Sequence, residues 1–143
     1  MGNKEAVKAK VQQYLTSILG TVTIDSDGDF TVRADSARGF VRVVGNDGDG
    51  PTFVSIFVPV LIGVTDSPEL HRWVAYRSED VYGGFYLRQR SDERIDLMLS
   101  HVLLGDYLDE PEIGYALTWI MQTANEVDEE LQSKFGGARF HEK

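Results

Sequence analysis

The run from Phe53 to Ile62 is apolar at nearly every position, broken only by Ser55 and Pro59. A strand with one side in water alternates apolar and polar residues, whereas one that is greasy on both sides asks for cover above and below. Where the surrounding helices can shield only one face of such a sheet, the other face must meet a second copy of the chain or an extended peptide. The run therefore points to binding rather than catalysis.

The chain has 143 residues, enough for one domain with one core. It contains no cysteine, so no disulfide staples it and no thiolate can act as nucleophile or metal ligand. A reducing compartment fits, and the start of the chain leads straight into an amphipathic pattern with no signal-peptide core, so a cytoplasmic location is expected. Nowhere do eighteen apolar residues follow one another, which argues against a membrane span. Gly2 is followed by Ala6 where a myristoylation motif wants Ser or Thr. The formal net charge is −9. Nucleic acid is an unsuitable partner for such a chain, because phosphate binding needs a clustered basic face.

Between Lys4 and Leu19, the residues Val7, Val11, Tyr14, Leu15 and Ile18 recur at steps of three and four, which predicts an amphipathic helix stopped by Gly20. Val22 and Ile24 alternate with threonines as far as Asp25-Ser26-Asp27-Gly28-Asp29, whose Asp-Gly pair suits a tight hairpin turn. Phe30, Val32 and the stretch 39–44 read as strands, and a Gly- and Asp-rich turn over 46–51 leads into the apolar run. Ser67 before Pro68 marks a helix start, with a short helix carrying Leu70, Trp73, Val74 and Tyr76. Strands are expected over 81–88 and 95–104. Asp109 and Glu112 have capping-box spacing at the head of a last helix whose stripe runs from Ile113 to Phe135. The order is helix, three strands, helix, two strands, helix. It predicts one α+β domain, ordered over about 4–135, with a single twisted antiparallel sheet of about five strands.

No chemistry stands out. The acidic turn 25–29 has the alternate oxygens of a calcium loop, but Phe30 and Ser36 replace its required glycine and glutamate. His71, His101 and His141 lack the paired spacing of zinc sites. His101 reads as a hydrogen-bonded strand residue. A hydrolase using His101 with Asp96 or Asp106 would need a placed nucleophile, and no Gly-x-Ser-x-Gly elbow supplies one. Gly83-Gly84 lies in a strand pattern with no helix after it, which suggests a bulge or the close approach of another backbone. No metal, no cofactor and no enzymatic activity are expected.

The element order, with the stretch from Leu97 to Tyr107 entering a long acid-capped helix, resembles the YbjN-like family, which is similar in fold to the class I chaperones of type III secretion. The segments 88–96 and 135–140 look like the actinobacterial branch. The resemblance implies a homodimer with apolar grooves that hold an extended segment of a client protein, main-chain pairing giving affinity and alternate side chains entering pockets. The family carries over no ligand assignment residue by residue; the excess of apolar and aromatic surface makes Phe53, Ile56, Phe57, Val58 and Phe85 the candidate peptide-binding residues and puts Trp73 and Tyr76 at or near the dimer contact. Either Phe53, Ser55 and Phe57 or their alternates Val54, Ile56 and Val58 would face the client. Pro59, near the end of its strand, would keep an edge from indiscriminate pairing. The alternative is a small-ligand-sensing module of signal transduction, with a pocket between sheet and long helix.

Overall fold

The computed structural model describes residues 3–34, 37–45, 50–77 and 83–136. The elements in chain order are α1 (Lys4–Leu19), β1 (Thr23–Ile24), β2 (Phe30–Ala34), β3 (Ala37–Val44), β4 (Phe53–Thr65), α2 (Pro68–Ala75), β5 (Gly84–Gln89), β6 (Arg94–Leu104) and α3 (Glu110–Phe135). The strands form one antiparallel sheet in the order β1-β2-β3-β4-β6-β5. The apolar run is its spine: β4 pairs with β3 on one side and β6 on the other. The sheet has six strands rather than about five, because the two-residue β1 pairs with Thr31 and Phe30 across the acidic turn.

The helices form where local chemistry starts and stops them. In α2 the Ser67 hydroxyl accepts from the Leu70 N–H at 3.3 Å, with Pro68 opening the helix. In α3 the Asp109 carboxylate accepts from the Glu112 N–H at 2.9 Å, meeting one of the donors that a helix start leaves over. Gly20 and Gly136 end α1 and α3 at φ 85° and 68°, where a side chain would be strained.

All three helices lie on one face of the sheet. Val7, Val11 and Leu15 of α1 and Ile113, Leu117, Ile120, Met121, Val127 and Leu131 of α3 join Val41, Val54, Ile56, Val58, Leu97 and Leu99 in one buried cluster. Each such side chain contributes roughly 1.5–3 kcal/mol of burial. Leu70 of α2 joins the same cluster, and Trp73 meets Phe85 of β5 edge to face with ring centres 4.9 Å apart. The register fixes the other face. Val44, Phe53 and Leu104 stand in one row, Arg42, Ser55 and Val102 in the next, and Phe40, Phe57 and Ser100 in a third. Among the described residues no helix covers these rows.

Pro59 sits in the central strand, not at an edge, which corrects the expectation that it guards one. The register between β4 and β6 shifts directly after it, between Pro59 and Leu61. A proline cannot donate to a ladder, so inside a sheet it needs such an irregularity. A second shift follows between Leu61 and Val64, and there the Gly63 N–H leaves the ladder to donate to the buried Asp96 carboxylate at 2.9 Å. Arg88 and Arg90 complete that carboxylate's shell at 3.0 and 2.8 Å.

Asp106 ties the head of α1 to the start of β4. Its carboxylate accepts from the Thr52 N–H at 2.8 Å and the Asn3 amide at 2.9 Å, while Lys10 donates to the Gly105 carbonyl. These bonds, the Thr52 N–H first, hold the Asp106 carboxyl below its ordinary range. Gly105 must be glycine, since a Cβ there would lie 2.9 Å from Val7 Cγ1 and 3.0 Å from the Thr52 carbonyl oxygen. The head of α1 is thereby fixed over the corner where β4 begins and β6 ends.

Candidate functional site

The free edge of β2 is the first candidate. β1 pairs only with Phe30 and Thr31, so Val32, Arg33 and Ala34 have no strand beyond them among the described residues. A cleft of about 550 Å³ runs beside this edge, between the end of α1 and the middle of α3. Ile18, Leu19, Val32, Leu117 and Met121 give it an apolar lining. Ile18 continues the α1 stripe predicted from the sequence, but unlike the buried Val7, Val11 and Leu15 it is 38% exposed in the helix's last turn. At the rim, Asn125 donates its amide to the Ala34 carbonyl at 3.0 Å. Apolar pockets next to an unpaired edge suit an extended chain, which adds a strand and sinks alternate side chains.

The second candidate lies across the molecule, where β5 ends the sheet. Tyr76 is 80% exposed at the end of α2, and Trp73 lies half-buried beneath the Arg77 guanidinium, 4.9 Å from its ring centre. Glu69, Arg72, Lys134 and Phe135 complete a shallow cleft of about 510 Å³ around them. Glu130 of α3 faces this helix. Lys134 chiefly, with help from Arg77 and Trp73, holds its carboxyl below the ordinary range.

The structure separates the residues expected to bind a peptide. Ile56 and Val58 are 0% and 1% exposed, sealed beneath the helices. Phe53 and Phe57 point to the opposite, open face, with Phe53 40% exposed. Phe85 faces the helices and is taken up by Trp73. So the set does not form one site. The cleft residues Ile18, Leu117 and Met121 were assigned to helix stripes alone. What marks them is position: they fall where α1 ends and the edge of β2 becomes free, and a stripe pattern carries no such tertiary information.

The readings of catalytic and metal chemistry can be placed too. His101 faces the helices between Leu99 and Leu103, and its Nδ1 accepts from the Gly83 N–H at 3.1 Å. Asp96 leaves β6 on the opposite face and is engaged by two arginines, so the two do not form a catalytic pair. Gly83 takes φ 84°, and a Cβ there would lie 3.0 Å from the Ser100 carbonyl oxygen, which bears out the close backbone approach read from the glycine pair. Asp25, Asp27 and Asp29 bring one carboxylate oxygen each within 4.8 Å of one another. Two of them already have partners: Asp25 Oδ1 accepts from the Asp27 and Asp29 N–H groups, and Asp29 holds Arg42. This is the bonding of a hairpin turn. No described helix is long and apolar enough to cross a membrane.

A half-covered antiparallel sheet with an apolar cleft at its edge defines the class: an α+β protein of the type III secretion chaperone-like fold. The chain belongs to the family described as T3SS (YopN, CesT) and YbjN peptide-binding chaperone 1, whose family model matches residues 5–143. Among curated proteins the sequence finds no match. Three solved structures share the fold. YbjN from E. coli, described as a putative transcription regulator, is 10% identical with a TM-score of 0.62, over 92% of this chain and 96% of that one. The ExsC–ExsE complex gives 12% identity and a TM-score of 0.61, over 90% and 96%. The Yersinia pestis type III secretion chaperone SycH, in complex with a stable fragment of YscM2, gives 14% identity and a TM-score of 0.55, over 84% and 98%.

Proposed function

We propose that this protein is a non-enzymatic, chaperone-like holder of an extended client segment, and that it acts as a homodimer in the cytoplasm. The observation that carries the reading is the apolar cleft beside the unpaired edge of Val32–Ala34. A client strand added to that edge would satisfy main-chain groups of both chains while placing side chains against Ile18, Leu117 and Met121. Family membership supports the same reading, as do two structural neighbours that are complexes, SycH with a stable fragment of YscM2 and ExsC with ExsE. For the dimer, the support is the exposed Tyr76 and the open edge of β5 beside it, with Trp73 behind. The small-ligand alternative has less behind it, because the cleft is open along β2 and one of its polar groups, Asn125, is already bonded to Ala34.

The test uses a fluorescein-labelled peptide of alternating valine and threonine, read by anisotropy against wild-type protein and Ile18→Asp. Binding that weakens about tenfold or more in the variant supports the cleft. An unchanged affinity, or no binding by wild type, overturns it. Light scattering at micromolar concentration tests the dimer: a strict monomer refutes it, and a dimer that Tyr76→Glu dissociates supports the α2 contact.

A further inference from the structure

We propose that the cleft selects among client segments, taking one in which apolar residues flank a carboxylate that is set against Arg33. This rests on the reading above, that the edge of β2 receives an extended chain, and adds the chemistry which that chain must carry. β2 itself dictates the alternation. Phe30 and Val32 are buried on the helix side, whereas Thr31 and Arg33 share the face of Phe40 and Phe57. Residues paired across neighbouring strands point the same way, and successive residues along a strand point opposite ways. A client residue paired with Val32 or Ala34 therefore turns toward Ile18, Leu117 and Met121, and the one between them comes to lie beside Arg33.

Arg33 suits an acidic neighbour there. Its side chain is exposed, and among the described residues no hydrogen bond or ion pair engages it. It borders two clefts at once: the apolar one, and a second of about 400 Å³ whose lining includes Thr21, Thr23 and Thr31. A guanidinium with hydroxyl donors near it is a carboxylate-binding arrangement. Arg38, across from it on β3, already lies over the Phe40 ring, so Arg33 is the cation left for the client.

The acid of the cleft sets the phase of the client as well as its composition. Glu126 lines the α3 wall, on the helix side, and accepts from the Gln122 amide at 3.0 Å. It disfavours a carboxylate turned into the apolar cleft and leaves undisturbed one turned the other way, beside Arg33. Contact and distance act in opposite senses here. At −9 the net charge draws cations from afar, whereas Arg33 draws a carboxylate at close range.

The test uses three fluorescein-labelled peptides of alternating valine and threonine that differ only at the central threonine, which is kept, replaced by glutamate or replaced by lysine, each titrated with the full chain at low salt. The glutamate peptide is expected to bind about threefold more tightly than the threonine parent and about tenfold more tightly than the lysine peptide, with the gap narrowing toward 0.5 M salt. Arg33→Gln, a change at an exposed position with folding verified by circular dichroism, is expected to bring all three within about twofold, and Arg33→Glu to put the lysine peptide first. Ile18→Asp weakens all three about tenfold and keeps their order. Three peptides that bind alike, or a glutamate preference that survives Arg33→Gln, overturn the selectivity while the cleft stands. A wild type that binds the lysine peptide best overturns it too, since the net charge would then decide. If none of the three binds, the cleft reading itself falls and this one falls with it.

Discussion

Arg42 donates to both oxygens of Asp29, from Nε at 2.9 Å and Nη2 at 2.6 Å, with its guanidinium 5.1 Å from the Phe57 ring centre. One arginine thus bridges the β1–β2 turn and the open face. Asp29 is 3% exposed, so removing its cation leaves a buried carboxylate half answered. Because Arg42 itself is half exposed, the loss is screened, and Arg42→Ala is expected to cost about 1–2 kcal/mol in urea unfolding with an unchanged m-value. Arg42→Lys recovers only part of this, since an ammonium cannot make both bonds in one plane.

Asp96 gives the fold an acid limit. Burial pushes its carboxyl up, but bonds from Arg90, the Gly63 N–H and Arg88 outweigh this and hold it below the ordinary range. With the folded pKa depressed, the group's contribution is present in full above the unfolded value of about 3.9 and is lost as pH falls through the folded one. Thermal melts should therefore drop below about pH 4, and Asp96→Asn should flatten that drop while lowering stability by about 2–4 kcal/mol at pH 7.

His101 sets a second, milder pH dependence. Its Nδ1 can accept from the Gly83 N–H only while unprotonated, and burial lowers its pKa. The unfolded chain then takes up the proton first, so stability is full above about pH 6.5 and declines as pH falls below it toward the folded value. His101→Leu should remove this slope between about pH 6.5 and 5 and cost about 1–2 kcal/mol at pH 7.5 by orphaning the Gly83 N–H. Faster hydrogen exchange at Gly83 in the variant would locate the effect at the start of β5.

The sequence speaks clearly wherever one residue type does one local job. The cap of Asp109 on Glu112, the stop at Gly20, the turn at Asp25–Asp29 and the backbone approach at Gly83 all follow from local chemistry and are all observed. The alternation of Val22 and Ile24 with threonines before that turn is legible too, and the expected count of about five strands falls one short of the six that pair. The place of Pro59 was misjudged because strand order is tertiary information, and a long central strand with a bulge looks from its sequence like an edge strand with a proline. For the binding surface the limit is sharper. An apolar run greasy on both sides shows that both faces matter but not which one the helices take, and the cleft is lined by residues of α1, β2 and α3 that only the tertiary fold brings together.

The faces of β4 can be told apart by one pair of substitutions. Ile56 is fully buried between Val41 and His101 under the helices, while its near neighbour Phe53 is 40% exposed between Val44 and Leu104. Truncating a buried isoleucine removes its transfer energy and leaves a cavity, so Ile56→Ala should cost about 2–5 kcal/mol. Phe53→Ser takes away a side chain that water already reaches, so its cost should stay below about 1 kcal/mol. If Ile56→Ala proved mild and Phe53→Ser unfolded the chain, the helices would have to cover the other face, and the assignment of an open surface would fall with it.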